Sequence, residues 1–325
     1  MNGGIGRIEM LKKTNILALV GGGQNPRFPP NKIIIWDDHQ GRIISILRFN
    51  KNILNVRLTK EKIFGILDDK KYIVNLNTLE TYNVLQTFEN PTGIMGMSDE
   101  DSNKLIIAYP LRSQGIVNFR NCITKKSSKD SKTINCHESK LSCLSINKIG
   151  TLLATASDKG TLIRIFAIQN GDNISVFRRG SKNVSMNCIT FSNNNMFIGC
   201  TSNAETIHIF SIAGINKKIN KDNKINGNHK KSESSNEIIS NDEPKNHKSL
   251  LGKISVFLKL NNDNIEQELS FAKFRVPDKY SLLGFGNDNI INVITMDGKY
   301  YKAVFDPKNG GDCQKIEEKN FLIDL

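Results

Sequence analysis

Apolar residues along this chain fall in short runs, each closed by Gly, Asn, Asp or Pro. Ile16 to Val20 ends at Gly21-Gly22-Gly23, Ile33 to Trp36 ends at Asp37-Asp38, and Arg42 to Phe49 follows. The pattern recurs over Ile53–Leu58, Ile63–Leu67, Tyr72–Leu76 and Thr81–Phe88, and again from Gly93, Leu141, Met186 and Leu269. Runs this short, rich in β-branched residues and bounded by turn formers, predict strands; apolar residues at helical spacing are almost absent. Three runs align with one another: Ile33-Ile34-Ile35-Trp36, Leu162-Ile163-Arg164-Ile165-Phe166 and Thr206-Ile207-His208-Ile209-Phe210. In the last two a polar residue interrupts the alternation. Successive side chains of a strand point to opposite faces, so Arg164 and His208 are expected to face away from their flanking isoleucines.

Four strands every ~40–45 residues make one blade of a WD-type propeller. The sequence therefore reads as an all-β, WD-repeat-type β-propeller in a single domain over 1–325, with one WD dipeptide, Trp36-Asp37. Six blades are legible, at 4–49, 52–88, 93–135, 141–177, 184–260 and 269–306. Residues 213–248 break the rhythm. They are rich in Asn, Lys and Ser, and Lys217 to Lys248 holds eight lysines against five acids. Too little apolar surface is available there to offset the entropy of ordering, so the segment is expected to be a disordered insertion within the blade spanning 184–260. The stretch after it has two readings. Leu250, Leu251, Ile254, Phe257 and Leu258 share one face of a helix suited to a membrane interface. Ile254, Val256, Leu258 and Leu260 alternate instead as the fourth strand that this blade still needs.

Charge narrows the partners. A net charge of +13 favours anionic ones without choosing among nucleic acid, membrane and acidic protein. Cys122, Cys136, Cys143, Cys188, Cys200 and Cys313 form no CxxC pair and no zinc-like grouping with His, so reduced buried thiols are expected and no cofactor or metal. The first residues carry no signal-peptide pattern, and no apolar run approaches the ~20 residues of a membrane span, so any membrane contact is peripheral. Gly21-Gly22-Gly23 lacks the helix and Lys-Ser/Thr of a phosphate loop, and neither a nucleophile elbow nor a metal-ligand cluster is present, which argues against an enzyme. Nucleic-acid binding fits the charge but finds no aromatic stacking motif.

Four segments together carry a resemblance. They are Gly21-Gly22-Gly23-Gln24-Asn25-Pro26-Arg27-Phe28-Pro29-Pro30-Asn31-Lys32 with Ile35-Trp36-Asp37-Asp38; Ala154 to Phe166; Phe177-Arg178-Arg179-Gly180; and Ser270-Phe271-Ala272-Lys273-Phe274-Arg275-Val276-Pro277. In this order they resemble the PROPPIN family, WIPI-type phosphoinositide-binding propellers linked to autophagy. Phe177-Arg178-Arg179-Gly180 matches the family hallmark. Family members have seven blades, and this chain starts at the junction entering the second, so the first blade is expected to be missing. Either the sequence is truncated or the ring closes in another way.

The resemblance implies phosphatidylinositol 3-phosphate and phosphatidylinositol 3,5-bisphosphate as ligands, held in two pockets. The first carries over onto His137, Ser157, Thr161, Arg164 and Arg178, the second onto Arg179, Ser202, Thr206 and His208. The chemistry is suitable, because the arginine fork bonds phosphate oxygens bidentately and keeps its charge. Adjacent residues of an extended segment point apart, which gives Arg178 and Arg179 to different pockets, and Gly180 is expected to permit a tight turn and close backbone approach. His137 and His208 also have a plain structural reading as satisfied core histidines, and the serines and threonines as turn residues. The family further implies peripheral recruitment from the cytoplasm to preautophagosomal, endosomal, vacuolar or other organelle membranes, autophagy-related partners including a lipid-transfer protein, and membrane insertion by the loop that contains Leu250 to Leu258. A protein-interaction scaffold without lipid binding is the competing reading.

Overall fold

A computed structural model describes residues 3–87, 90–100, 104–111, 114–122, 131–215, 244, 246 and 267–322. The described chain is all β apart from a helical turn at 213–215, and its strands form six sheets. Contacts group them into two compact units, Met1–Ser131 and Lys132–Leu325.

In the first unit β1 (Ile5–Met10), β2 (Ile16–Gly21), β3 (Lys32–Asp37) and β4 (Arg42–Arg48) pair in sequence order as one antiparallel sheet. A second such sheet holds β5 (Asn55–Leu58), β6 (Lys62–Ile66), β7 (Lys70–Asn75) and β8 (Thr81–Gln86). In the third, β10 (Ile106–Pro110) pairs with β9 (Gly96–Met97) and with β11 (Ile116–Asn121). Ala18, Val20, Ile33 and Ile35 of the first sheet pack on Val56, Leu58 and Ile63 of the second. The other face of the first sheet leaves Ile8, Met10 and Ile44 exposed. Beneath the second and third sheets Lys71 is fully buried, with its Nζ 2.9 Å from the centre of the Tyr109 ring. Burial holds that amine well below its usual pKa.

The second unit opens with β12 (Ser131–Asn135). Its first sheet, the fourth of the chain, runs β13 (Leu141–Ile146), β14 (Leu152–Ser157), β15 (Leu162–Ala167) and β16 (Asn173–Arg178). The fifth contains β17 (Met186–Phe191), β18 (Phe197–Ser202) and β19 (Thr206–Ser211). Beyond the insertion the chain returns as β20 (Gln267–Leu269), which pairs parallel with β16 as a fifth strand of the fourth sheet. It then continues as β21 (Ala272–Arg275), antiparallel to β19. The sixth sheet is β22 (Ser281–Phe285), β23 (Ile290–Thr295), β24 (Lys299–Val304) and, after the two-residue β25 (Gly311–Asp312) on the edge of β21, β26 (Gln314–Asn320).

The predicted strands of the first four blades lie where the pattern placed them; the fifth and sixth differ. The fourth strand of the fifth sheet is β21, so this sheet extends past residue 260, and the sixth runs from Ser281 to Asn320 instead of 269–306. Ala272, Phe274 and Val276 are buried while Lys273 and Arg275 are exposed, the alternation of an outer strand with one wet face. The sequence pattern alone places this run at the start of the next blade. β26 escaped notice because Ile316 is its sole apolar residue and is itself exposed. The strand and helix readings of 249–260, with Leu250, Leu251, Ile254, Phe257 and Leu258, lie outside the described residues.

One core joins the fourth and fifth sheets. Ala154, Ala156, Ile163, Ile165 and Phe177 meet Met186, Ile189, Ile198, Cys200 and Phe210, all nearly or fully buried. The Phe177 and Phe210 rings stack with centroids 4.8 Å apart and planes 12° apart. A stack adds about 0.5–1.5 kcal/mol to the area term of two buried rings. Close approach continues to the sixth sheet, where a Cβ on Gly199 would lie 2.4 Å from Leu283 Cδ2. All six cysteines are free, and burial pushes Cys136 and Cys200 up to about 12.

Candidate functional site

Because Ile163, Ile165 and Phe177 fill the core between the fourth and fifth sheets, period two sends Arg164 and Arg178 to the opposite face of the fourth sheet. Thr155 and Ser157 share that face on β14, and Thr155 is the register partner of Arg164. His137, just after β12, meets them: its Nε2 lies 3.0 Å from Thr155 Oγ1. Arg164 Nη1 donates to the Cys136 carbonyl at 2.6 Å, and its buried Nε finds no acceptor among the described residues. Burial lowers His137 to about 4; the Arg164 charge adds to this, while the bond to Thr155 and the Asp158 carboxylate oppose it. Arg178 is the register partner of Leu162, diagonal to Arg164 across the β15–β16 pair. Its Nε donates to Gln267 Oε1 on β20 at 2.7 Å. Thus His137, Arg164 and Arg178 gather on one face with Thr155 and Ser157. Thr161 stands apart, in the turn before β15, where its carbonyl accepts the Arg179 N–H at 2.9 Å.

Arg179 turns to other neighbours. It is 8% exposed; Nε donates to the Gly160 carbonyl at 2.6 Å and Nη2 to the Lys182 carbonyl at 2.5 Å. The turn that offers Gly160 is a left-handed one, φ 59°, and a Cβ there would lie 2.1 Å from the Val184 carbonyl oxygen. Burial lowers the Arg179 pKa, with Cys200 of the fifth sheet opposing. The two arginines therefore address different sheets. Gly180 does not fit the expected role: its φ is ordinary, and a Cβ on it would meet nothing within 4 Å. Nothing in the fold of the chain itself demands glycine at this position.

The fifth sheet repeats the register. His208 occupies the place of Arg164, flanked by Cys200 on β18 and Lys273 on β21. One pleat along the same face, Thr206 lies between Ser202 and Arg275, the latter its register partner on β21. His208 is buried, with Nδ1 2.9 Å from Ser270 Oγ. Burial and then the charges of Arg179 and Lys273 lower it to about 4, with no carboxylate opposing. The second predicted set is thus gathered on one face, although Ser202 Oγ also accepts the Ala204 N–H at 3.3 Å as a turn serine would.

Thr155, Asp158, Gln267, Ser270, Lys273 and Arg275 were missed in the sequence. Thr155 was accessible, since it precedes Ser157 by two and must share its face. Lys273 and Arg275 were hidden by assigning their strand to the wrong blade. Gln267 carries no local signal, because a long-range parallel pairing brings it to Arg178. Among the described residues no three His, Cys, Asp or Glu side chains cluster as metal ligands, and no helix is long and apolar enough to cross a membrane.

Comparison with known proteins adds to this geometry. Residues 16–232 match the family described as PROPPIN. Autophagy-related protein 18e of Arabidopsis thaliana is 30% identical, over 97% of this chain and 76% of the relative. The solved structure of Kluyveromyces lactis Hsv2 superposes with a TM-score of 0.68 at 17% identity, over 97% of this chain and 86% of the other. KlAtg21, solved in complex with the coiled-coil of AgAtg16, also gives 0.68, at 19% identity over 97% and 84%.

Proposed function

The chain belongs to the PROPPIN family, and from that premise we propose that it is a peripheral-membrane effector binding phosphatidylinositol 3-phosphate and phosphatidylinositol 3,5-bisphosphate through two pockets flanking Arg178 and Arg179. The carrying observation is the repeated register of two adjacent sheets. Each presents hydroxyl, imidazole and cationic side chains on one face, and Arg164 and Arg179 donate to backbone carbonyls instead of carboxylates. Cations left without acidic partners suit an anionic ligand rich in oxygen acceptors. Two weak headgroup contacts on one protein make the second effectively intramolecular, so avidity supplies residence on the membrane. Leu250, Leu251, Ile254, Phe257 and Leu258 are proposed as a third contact, inserted at the interface. The role is binding, with no catalytic residue assigned. Recruitment of autophagy-related proteins to preautophagosomal, endosomal, vacuolar or other organelle membranes, a lipid-transfer protein among them, completes the reading.

A scaffold role without lipid draws support from KlAtg21 held with a coiled-coil. Flotation with vesicles separates the two. The intact protein is expected to float with vesicles containing either 3-phosphorylated inositide, and Arg178→Thr with Arg179→Thr to remain at the bottom while keeping its thermal unfolding transition. Arg178→Thr alone, which leaves the buried Arg179 in place, is expected to weaken binding in part. Undiminished flotation of the double variant overturns the pockets, and absence of binding by the wild type leaves the scaffold. Deleting 213–248 is expected to preserve headgroup binding.

A further inference from the structure

Resting on the reading above, we propose that β21 adds a wall to the second pocket, Lys273 and Arg275, which takes a further phosphate group of a multiply phosphorylated inositol headgroup. The placement follows from register. Lys273 pairs with His208 and Arg275 with Thr206, so both cations stand on the pocket's own face, one strand outward. Ala272, Phe274 and Val276 are 1%, 6% and 1% exposed, so the alternate positions have no freedom to turn inward.

The two cations are also available. Neither forms an ion pair among the described residues. Nearby Lys315 is by contrast held by Glu318 at 2.6 Å. Asp312 is the register partner of Lys273 across the short β25 pairing and forms no ion pair with it among the described residues. The cavity of about 650 Å3 at this edge is a different space: Phe274, Tyr301, Lys315 and Glu318 line it with Lys273 and Arg275, so it lies towards the sixth sheet and holds neither His208 nor Thr206. On the fourth sheet the position matching Lys273 is Val176, which is buried, and β20 covers the edge beyond it. The position matching Arg275 is Arg178, so the cation that the fifth sheet adds is Lys273.

The test titrates the full chain with two soluble headgroups, inositol 1,3-bisphosphate and inositol 1,3,5-trisphosphate, and repeats it with vesicles carrying the matching lipids or phosphatidylserine alone. The wild type is expected to favour the trisphosphate by about tenfold, the scale of one charge-assisted bond. Lys273→Ala with Arg275→Ala is expected to abolish that preference while holding the bisphosphate within about twofold. Retained preference, or equal loss of both headgroups, overturns the proposal. So does a loss confined to phosphatidylserine vesicles, which assigns the cations to general surface attraction. Arg178→Thr with Arg179→Thr serves as the reference: if the wild type binds neither headgroup, the lipid reading itself fails; if it binds and the β21 variant is unchanged, only the present proposal falls.

Discussion

The fourth and fifth sheets share a register and differ in where they keep their charge. The fourth places a permanent cation, Arg164, at the centre of its third strand and a second, Arg178, at its edge. The fifth puts a neutral imidazole at the centre and moves the cations out to β21. The fourth has a carboxylate, Asp158, acting on its histidine, whereas none acts on that of the fifth. One backbone frame thus offers two electrostatic arrangements, set by the identity of a few side chains.

The largest expected effect breaks both sheets together. Phe177→Ala removes the ring that stacks on Phe210 and is expected to cost about 3–5 kcal/mol in chemical denaturation. A loss under about 1 kcal/mol would mean that the sheets do not share this core.

Acid comes next. An unfolded histidine takes up its proton near ~6.5, while His137 and His208 resist until about 4. Their contribution is complete above the unfolded value and is lost as the pH falls from ~6.5 towards 4, by up to ~3 kcal/mol each. His137→Asn and His208→Asn are each expected to remove a similar part of that slope in stability measured from pH 7 to 4. A flattening by one alone would show that the sheets bury their imidazoles differently.

Two glycines sharpen the contrast between scaffold and surface. Gly160→Ala faces a left-handed backbone and the Val184 carbonyl, and a loss of about 1–3 kcal/mol is expected. Gly180→Ala is expected to stay within about 0.5 kcal/mol. If it nonetheless weakens headgroup binding, the hallmark glycine is there for the ligand. The smallest change is Asp158→Asn, expected to tighten headgroup binding at the fourth sheet by about two- to threefold, read by titration with the bisphosphate headgroup in the Arg179→Thr background.

Much of this was legible in the residues. Strand period placed Arg164 and His208 opposite their isoleucines, and turn signals set the strands of the first four blades. Legibility fails where spacing along the chain stops reporting spacing in space. The insertion separates β19 from β21 by some sixty positions, and an outer strand with two exposed cations looks like a beginning as readily as an end. Gln267 reaches Arg178 and Ser270 reaches His208 through pairings that no local pattern encodes. Gly180 shows the converse: the motif was visible, but the backbone need expected of its glycine is absent.

The pairing of β25 with β21 stops at Lys273. Beyond it, among the described residues, no further strand pairs with the outer edge of β21 at Arg275, and unpaired edges are where proteins aggregate. Exposed cations at Lys273 and Arg275 repel a second copy brought to the same edge.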